Sequence, residues 1–354
     1  MKRSTSNTSA NGDEGRVNRK NDHIKYALAL SDGPLTSGFA DMHVMHDCLP
    51  EINCDQVNLA TCLADIKMVN PFIINAMTGG ADNLTTINRQ LAIVARETSC
   101  ALAVGSQYGS IKSGKYTDSF TVVRRENPSG IIFANVSALA TVDEGQRAVD
   151  MLEAQALQIH LNVAQELAMQ EGDREFSGYL KNIEQLCLHL NVPVIVKETG
   201  AGMARREVKT LFNLGVNAVD IGGSGGTNFP AIEAARCKAT NCEITDWGIS
   251  TVLSLYEAAR AIGKQNGIVA TGGIRTALDA LKALILGANA VGMAGNVLKN
   301  LTDGGIETAV CEMHKLQSNL IDFMILTGCK KIEELPKVPV YFTGDTFMAM
   351  QCLS

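Results

Sequence analysis

Gln158, His160, Asn162, Gln165 and Glu166 fall within the run Leu157-Gln158-Ile159-His160-Leu161-Asn162-Val163-Ala164-Gln165-Glu166. An imidazole, three amides and a carboxylate at this spacing can move a proton, orient a substrate and ligate a hard cation. The run alternates, with Leu157, Ile159, Leu161 and Val163 on one face of an expected strand and Gln158, His160 and Asn162 on the other. In a closed parallel barrel the second face points inward. Bulky aliphatics are the rule there, and three polar side chains need partners. The reading is a strand that carries a working site, against the alternative of a buried polar network that only satisfies itself.

Lys197 closes the apolar run Pro193-Val194-Ile195-Val196. An ammonium at that strand end suits an anion or an electron-rich ring, which would offset its desolvation, or else a Schiff-base role. A simple pair with Glu198 is disfavoured, because neighbours in a strand point to opposite faces. Gly272-Gly273-Ile274-Arg275-Thr276 opens a helix with Thr276 as N-cap and Asp279 completing a capping box. Backbone N–H groups there and at Ala294-Gly295 suit a phosphate.

These residues need a frame. Short apolar runs at 72–76, 101–104, 131–135, 157–163, 193–197, 217–221, 267–270 and 288–292 read as strands. Amphipathic stretches at 84–98, 143–155, 203–214, 250–264 and 276–286 read as helices between them. Eight strands with crossovers favour an α/β fold, a (β/α)8 TIM barrel with its active site at the C-terminal ends of the strands, over an open doubly wound sheet. Polar or glycine-rich groups at all eight strand ends would then meet at one mouth. Residues 222–249 read as a long βα loop covering the site, with Trp247, the only tryptophan, near its end. The chain after 300 reads as helical through about Leu326, and the remainder has no assigned structure.

The 354 residues, 46% of them hydrophobic, are expected to form one barrel domain over 19–354 with N- and C-terminal extensions. Residues 1–18, rich in Ser, Asn, Thr and Gly, are expected to be a disordered tail. A net charge of −6 without a basic block argues against a nucleic-acid partner. Ten scattered cysteines without zinc-site spacing read as reduced thiols. With no signal-like or membrane-spanning segment, a soluble cytoplasmic protein that does not enter a membrane is expected.

Taken together, several stretches resemble the type 2, FMN-dependent isopentenyl-diphosphate delta-isomerases. They are Arg19-Lys20-Asn21-Asp22-His23, Ala76-Met77-Thr78-Gly79-Gly80, the run from His160 to Glu166, Gly225-Gly226-Thr227-Asn228-Phe229, Trp247-Gly248, Thr271-Gly272-Gly273-Ile274-Arg275-Thr276 and Gly292-Met293-Ala294. The glycine loops are shared by many flavin barrels; the first stretch and the His160–Glu166 run are more specific. The resemblance implies interconversion of isopentenyl and dimethylallyl diphosphate in isoprenoid biosynthesis, with FMN, Mg2+ and NADPH as reductant but no net redox change. It implies that Arg19, Lys20 and His23 hold the diphosphate, that Glu166 ligates magnesium, and that Gln165 lies near the reacting carbons. His160 and Asn162 join Gln165 as candidate catalytic residues. Ala76, Met77, Thr78, Gly79, Ser106, Asn135, Lys197 and Thr227 would contact FMN, with its phosphate at Gly272, Gly273, Ile274, Arg275, Ala294 and Gly295. A homo-oligomer, tetramer or octamer, is implied as well.

Each reading has a competitor. Arg19-Lys20 taken alone is solvated charge, and His160 could be a core histidine paired with Asn162. His43, His46, His189 and His314 read as structural or surface residues. An FMN-dependent 2-hydroxy-acid oxidase shares the barrel and its phosphate loops, yet no histidine follows the sixth or seventh strand to act as base. A flavin-storing protein without turnover would require neither Gln165-Glu166 nor Arg19-Lys20.

Overall fold

The computed structural model describes residues 19–20, 22–238, 242–263 and 267–353. The expected tail, 1–18, lies outside the described residues. Eight parallel strands are β1 (Phe72–Ile74), β2 (Ala101–Ala103), β3 (Ile132–Ser137), β4 (Ala156–Leu161), β5 (Val194–Glu198), β6 (Ala218–Asp220), β7 (Ile268–Thr271) and β8 (Ala290–Met293). Each pairs with its successor, and β8 pairs with β1, closing the barrel. It is a TIM barrel, as the crossover pattern implied. Around and beside it lie α1 (Thr85–Thr98), α2 (Tyr108–Ser113), α3 (Asp118–Glu126), α4 (Val142–Leu152), α5 (Val163–Ala168), α6 (Tyr179–His189), α7 (Arg205–Asn213), α8 (Phe229–Arg236), α9 (Thr251–Ile262), α10 (Ala277–Ile285), α11 (Gly295–Ile325) and α12 (Gly344–Cys352).

Alternation divides the strands' side chains into two sets. Phe72, Ile74, Leu102, Leu157, Ile159, Val194, Val196 and Val291 face outward and pack with the helices' apolar stripes. Ile73, Ala101, Ala103, Phe133, Ala156, Ile195, Ala218, Val269 and Ala290 form the inner cluster. Alanines alternate there with a few bulky residues, where uniformly bulky aliphatics were expected. The hairpin of Thr61–Leu63 and Ile66–Met68 adds Leu63 and Met68 to this inner cluster, so the barrel is filled and is no channel. Beyond it, toward the strands' carboxyl ends, the interior turns polar: Asn75, Asn135, Gln158, Lys197, Asp220 and Thr271 are all buried.

Two sequence expectations need correction, and one unassigned segment gains a structure. The fourth strand ends at Leu161 rather than at residue 163; Asn162 caps α5, and Val163, Gln165 and Glu166 are helical. Alternation alone could not see where the strand's hydrogen bonding stops. The stretch 222–249 is not plain loop, for it holds α8 and a short 3-10 turn at Glu243–Asp246. Asn228 caps α8 by accepting from the Ala231 N–H at 3.0 Å, and Pro230 sits in its first turn. The C-terminal residues without an assignment form the strand Val340–Phe342, antiparallel to Met42–Val44, followed by α12. The two extensions are thereby tied together. The helix expected through Leu326 is α11, kinked at Gly305 where φ is 74°.

The Thr276–Asp279 capping box is present: the Thr276 hydroxyl accepts from the Asp279 N–H at 3.1 Å, and the Asp279 carboxylate accepts from the Thr276 N–H at 3.0 Å. Among the described residues no helix is long and apolar enough to cross a membrane.

The loops after β6 and β7 lie against each other at a distance only glycine permits. A Cβ on Gly272, at φ +109°, would fall 2.1 Å from the Gly223 carbonyl oxygen. Gly272→Ala is therefore expected to lower the unfolding free energy by roughly 2 kcal/mol or more. Urea denaturation at pH 7 would read this as a reduced midpoint with an unchanged m-value; an unchanged midpoint would refute the close packing.

Candidate active site at the barrel mouth

The candidate residues gather at the carboxyl ends of the strands. Ala76, Met77, Thr78 and Gly79 follow β1, and Ser106 follows β2. Asn135 lies in β3, His160 in β4 and Lys197 in β5. Thr227 follows β6, Gly272 to Arg275 follow β7, and Ala294 and Gly295 follow β8, with Gly295 opening α11. The last three loops touch one another. A Cβ on Gly226 would come within 2.8 Å of the Gly273 nitrogen, and one on Gly295 would lie 3.7 Å from the Thr227 hydroxyl. Three backbone segments thus meet at the mouth with little side chain between them. Not every N–H expected for an anion is available, since those of Arg275 and Thr276 both donate to Asp279. The Arg275 guanidinium pairs with Asp32. Ser224, within the same glycine run, has a fully buried hydroxyl that finds no hydrogen-bond partner among the described residues.

Below the loops, the polar layer forms one connected network. The Lys197 ammonium lies 3.1 Å from Asp220 Oδ2, which also accepts from the Asn75 amide at 2.6 Å. Thr271 donates its hydroxyl to Oδ1 of the same carboxylate. The Asn75 carbonyl oxygen accepts from Gln158 at 3.3 Å, and Gln158 Oε1 accepts from the Asn135 amide at 3.3 Å. Asn135 Oδ1 then meets His160 Nδ1 at 2.8 Å. Because Asn135 presents its oxygen, the proton sits on His160 Nδ1, leaving Nε2 as an acceptor. Burial, reinforced by the Lys197 charge and only partly opposed by the Val136 carbonyl, pulls the His160 pKa down to about 4. The ring is neutral at pH 7. Its partner is Asn135, and not the Asn162 of the competing core-histidine reading. Asn162 instead donates to Glu166 Oε1 at 2.8 Å.

A second cluster rises from α5 and α8. Glu233 has no exposure, and its Oε1 meets His23 Nε2 at 2.7 Å and the Gln165 amide at 2.8 Å. Arg236 grips its other oxygen and reaches Glu171 at 3.1 Å and Asp22 at 3.6 Å. Burial by itself would raise the Glu233 pKa; the hydrogen bonds from His23, Gln165 and Arg236, with the His23 charge, outweigh it and hold the carboxyl down to about 2. The N-terminal segment is anchored over the mouth in the same way. Lys20 Nζ donates to the Gly80 carbonyl at 3.2 Å, and Arg19 touches the Met169 sulfur at 3.8 Å, just past α5. The structure therefore brings Arg19, Lys20, His23, Gln165 and Glu166 to one rim. Glu166 Oε2 accepts from the Asp173 N–H at 2.9 Å, and among the described residues no group of three or more His, Cys, Asp or Glu is placed to share a cation with it.

Beside this rim, a cavity of about 410 Å³ is lined by Val163, Ala164, Leu167, Glu198, Ala201, Ile244 and Trp247. Burial pushes the Glu198 carboxyl up to about 7 against the three N–H groups of Gly200, Ala201 and Gly202 that it accepts.

Sequence reading missed Glu233 as a site residue and Asp220 as the counter-ion of Lys197. Glu233 was hidden because its helix lies in the stretch read as loop; a glutamate three positions before Arg236, following an Asn-Phe-Pro helix start, was the available signal. Asp220 was visible only as a polar strand end.

Comparison with known proteins gives concordant findings. The family model described as FMN-dependent dehydrogenase matches residues 118–340. A protein from Geobacillus sp. (strain WCH70) named isopentenyl-diphosphate delta-isomerase is 45% identical over 332 residues, covering 94% of this chain and 95% of its own. Proteins of the same name from Bacillus cytotoxicus and Moorella thermoacetica are 46% and 44% identical, each covering 94% of this chain and 95% of their own. Among solved structures, mandelate oxidase with (S)-2-phenylpropionate superposes with a TM-score of 0.67 at 16% identity, covering 92% of this chain and 97% of that one. Identity that low speaks for the fold alone.

The His160 proton balance generates a test. An unfolded histidine binds its proton below pH 6.5, whereas folded His160 does so only below about 4. Stability therefore falls as pH falls through that window, because the unfolded chain binds more protons there. Urea unfolding of the protein and of His160→Gln should show a steeper loss between pH 6.5 and about 4 in the unsubstituted protein. Parallel curves would mean that His160 titrates normally.

Proposed function

The chain belongs to the isopentenyl-diphosphate delta-isomerase family, within the FMN-dependent dehydrogenases, and on that premise we propose that it interconverts isopentenyl and dimethylallyl diphosphate with FMN as its cofactor. The observation that carries the reading is the joint presence, on one rim, of Arg19, Lys20, His23, Gln165 and Glu166 in a chain 45% identical to its relatives over 94% of its length. A 2-hydroxy-acid oxidase is the reading it displaces. All six histidines are accounted for elsewhere, so none follows β6 or β7 to act as that reaction's base.

The mouth fits FMN. Gly223, Gly225 and Gly226 pack on Gly272 and Gly273 with no room for a Cβ, which leaves main chain rather than side chains at these strand ends for a phosphate, and Lys197 in β5 supplies a cation for a flavin ring. Bound and reduced, FMN supplies an electron-rich ring able to carry the proton that an unactivated double bond requires. NADPH is the proposed reductant. The residues of the chain then have separable tasks. Glu233 orients Gln165 and His23 by accepting from both, which keeps the Gln165 side chain fixed beside the reacting carbons. His160, neutral and with Nε2 as acceptor, adds no competing positive charge to a site where protonation of the double bond would leave a tertiary cation. Arg19, Lys20 and His23 hold the diphosphate. Glu166, held by Asn162 and the Asp173 N–H, presents one carboxylate. That suits Mg2+, which takes its remaining ligands from phosphate oxygens and water.

Assembly as a homo-oligomer, a tetramer or octamer, is part of the proposal; exposed Tyr341, Phe347 and Met348 on the C-terminal extension support it. All ten cysteines are free, which supports a reducing, cytoplasmic setting.

The test is anaerobic incubation of the protein with isopentenyl diphosphate, Mg2+, FMN and NADPH, following dimethylallyl diphosphate by NMR. Product that disappears when FMN or reductant is omitted is the expected result. Absence of product from protein holding reduced FMN would reject the isomerase reading and turn attention to hydroxy-acid oxidation. In the same assay Glu166→Gln should lose the Mg2+-dependent activity by at least a hundredfold while binding FMN normally. Full activity in that variant would remove Glu166 from the metal site.

A further inference from the structure

We propose that Asp220 is a positioning residue that sets the charge of Lys197 beside the cofactor, and so the relative affinity of the barrel for reduced and oxidised FMN. The inference rests on the FMN reading above. Asp220 is wholly buried at the end of β6, and Lys197 is nearly so at the end of β5. Register places the two residues directly opposite each other, and the ammonium and carboxylate are 3.1 Å apart. A carboxylate with no water needs more than one partner. Asp220 has three: Lys197 and Asn75 on Oδ2, and Thr271 on Oδ1.

None of these contacts is needed to close the barrel. The fold could have placed an aliphatic pair at these inward positions, as it does one layer below with Ile195 and Ala218. A buried ion pair replaced by apolar residues is often neutral or stabilising, so packing gives no reason to keep one here. What the pair does supply is a lysine whose position is held and whose positive charge is partly offset. Through Asn75, Gln158 and Asn135 the same carboxylate is also linked to His160, so one buried group orients both the cationic and the neutral members of the site.

The consequence has a definite sign. Two-electron reduction of a flavin leaves negative charge on the ring unless a proton follows, and a nearby ammonium favours the reduced form. Asp220 opposes that preference by offsetting the ammonium. Asp220→Asn keeps the shape and most of the hydrogen bonding but removes the offset. Reduced FMN should then bind about tenfold more tightly relative to oxidised FMN, which is a rise of about 30 mV in the midpoint potential of the bound two-electron couple.

The experiment is anaerobic spectroelectrochemical titration of FMN bound to the full chain and to Asp220→Asn, Lys197→Gln and the double variant. A rise in Asp220→Asn that disappears in the Lys197→Gln background supports the proposal, since Asp220 then acts through Lys197. An unmoved potential in Asp220→Asn with FMN stoichiometrically bound overturns it, and assigns Asp220 a role in folding alone. Should that variant not fold, Asn75→Ala removes a donor from Asp220, strengthens its negative field and should lower the potential; no change overturns the proposal equally. If the unsubstituted protein binds no FMN, the cofactor reading itself fails and takes this inference with it.

Discussion

A carboxylate with no exposure to solvent stands inside the barrel at Asp220, and the polar interior is arranged around it. Burying such a charge is costly unless it is paired and hydrogen-bonded, so β1, β5 and β7 must each deliver a donor: Asn75, Lys197 and Thr271. The Asn75 side-chain oxygen accepts from the Ala76 N–H and from Gln158, and Gln158 in turn accepts from Asn135. The chain of contacts ends at His160, the second polar member of the run that looks chemical in the sequence. The polar face of β4 is therefore part of a larger layer. In that layer each side chain is held by the next, and the candidate site residues gain defined orientations at no cost in unsatisfied atoms.

The rim repeats this logic with a different anchor. Glu233 draws together His23 from the N-terminal segment, Gln165 from α5 and Arg236 from its own helix. Three separate parts of the chain share one buried acid. A segment that on composition alone would be solvated is thereby held across the mouth. The interior network fixes the polar groups at the strand ends, and the rim network fixes those brought by the N-terminal segment, α5 and α8.

Much of the frame was legible because its causes are local. Eight apolar runs with helical intervals imply a barrel, and each run contains one of its strands within a few residues. The Thr276–Asp279 capping box and the glycine loops followed from residue type and spacing. Residues far apart in sequence but alike in chemistry, from Arg19-Lys20 to Gly292-Met293-Ala294, carried the family resemblance that the relatives at 44–46% identity bear out. Less visible were ends and partners. Alternation continued through Val163 although hydrogen bonding in β4 stops at Leu161, and α8 was concealed behind a glycine-rich start.

The sequence by itself determined which residues face inward, because a strand's period of two is built into the backbone, and it determined the glycines without which the loops could not meet. Pairing was decided only by the tertiary structure. That Lys197 meets Asp220 and not Glu198, that His160 meets Asn135 and not Asn162, and that Gln165 meets Glu233 depend on strand register and helix placement. The physical reason is that a buried polar group is satisfied by whatever the closed barrel brings within about 3 Å, and that distance belongs to closure, not to the order of residues along the chain.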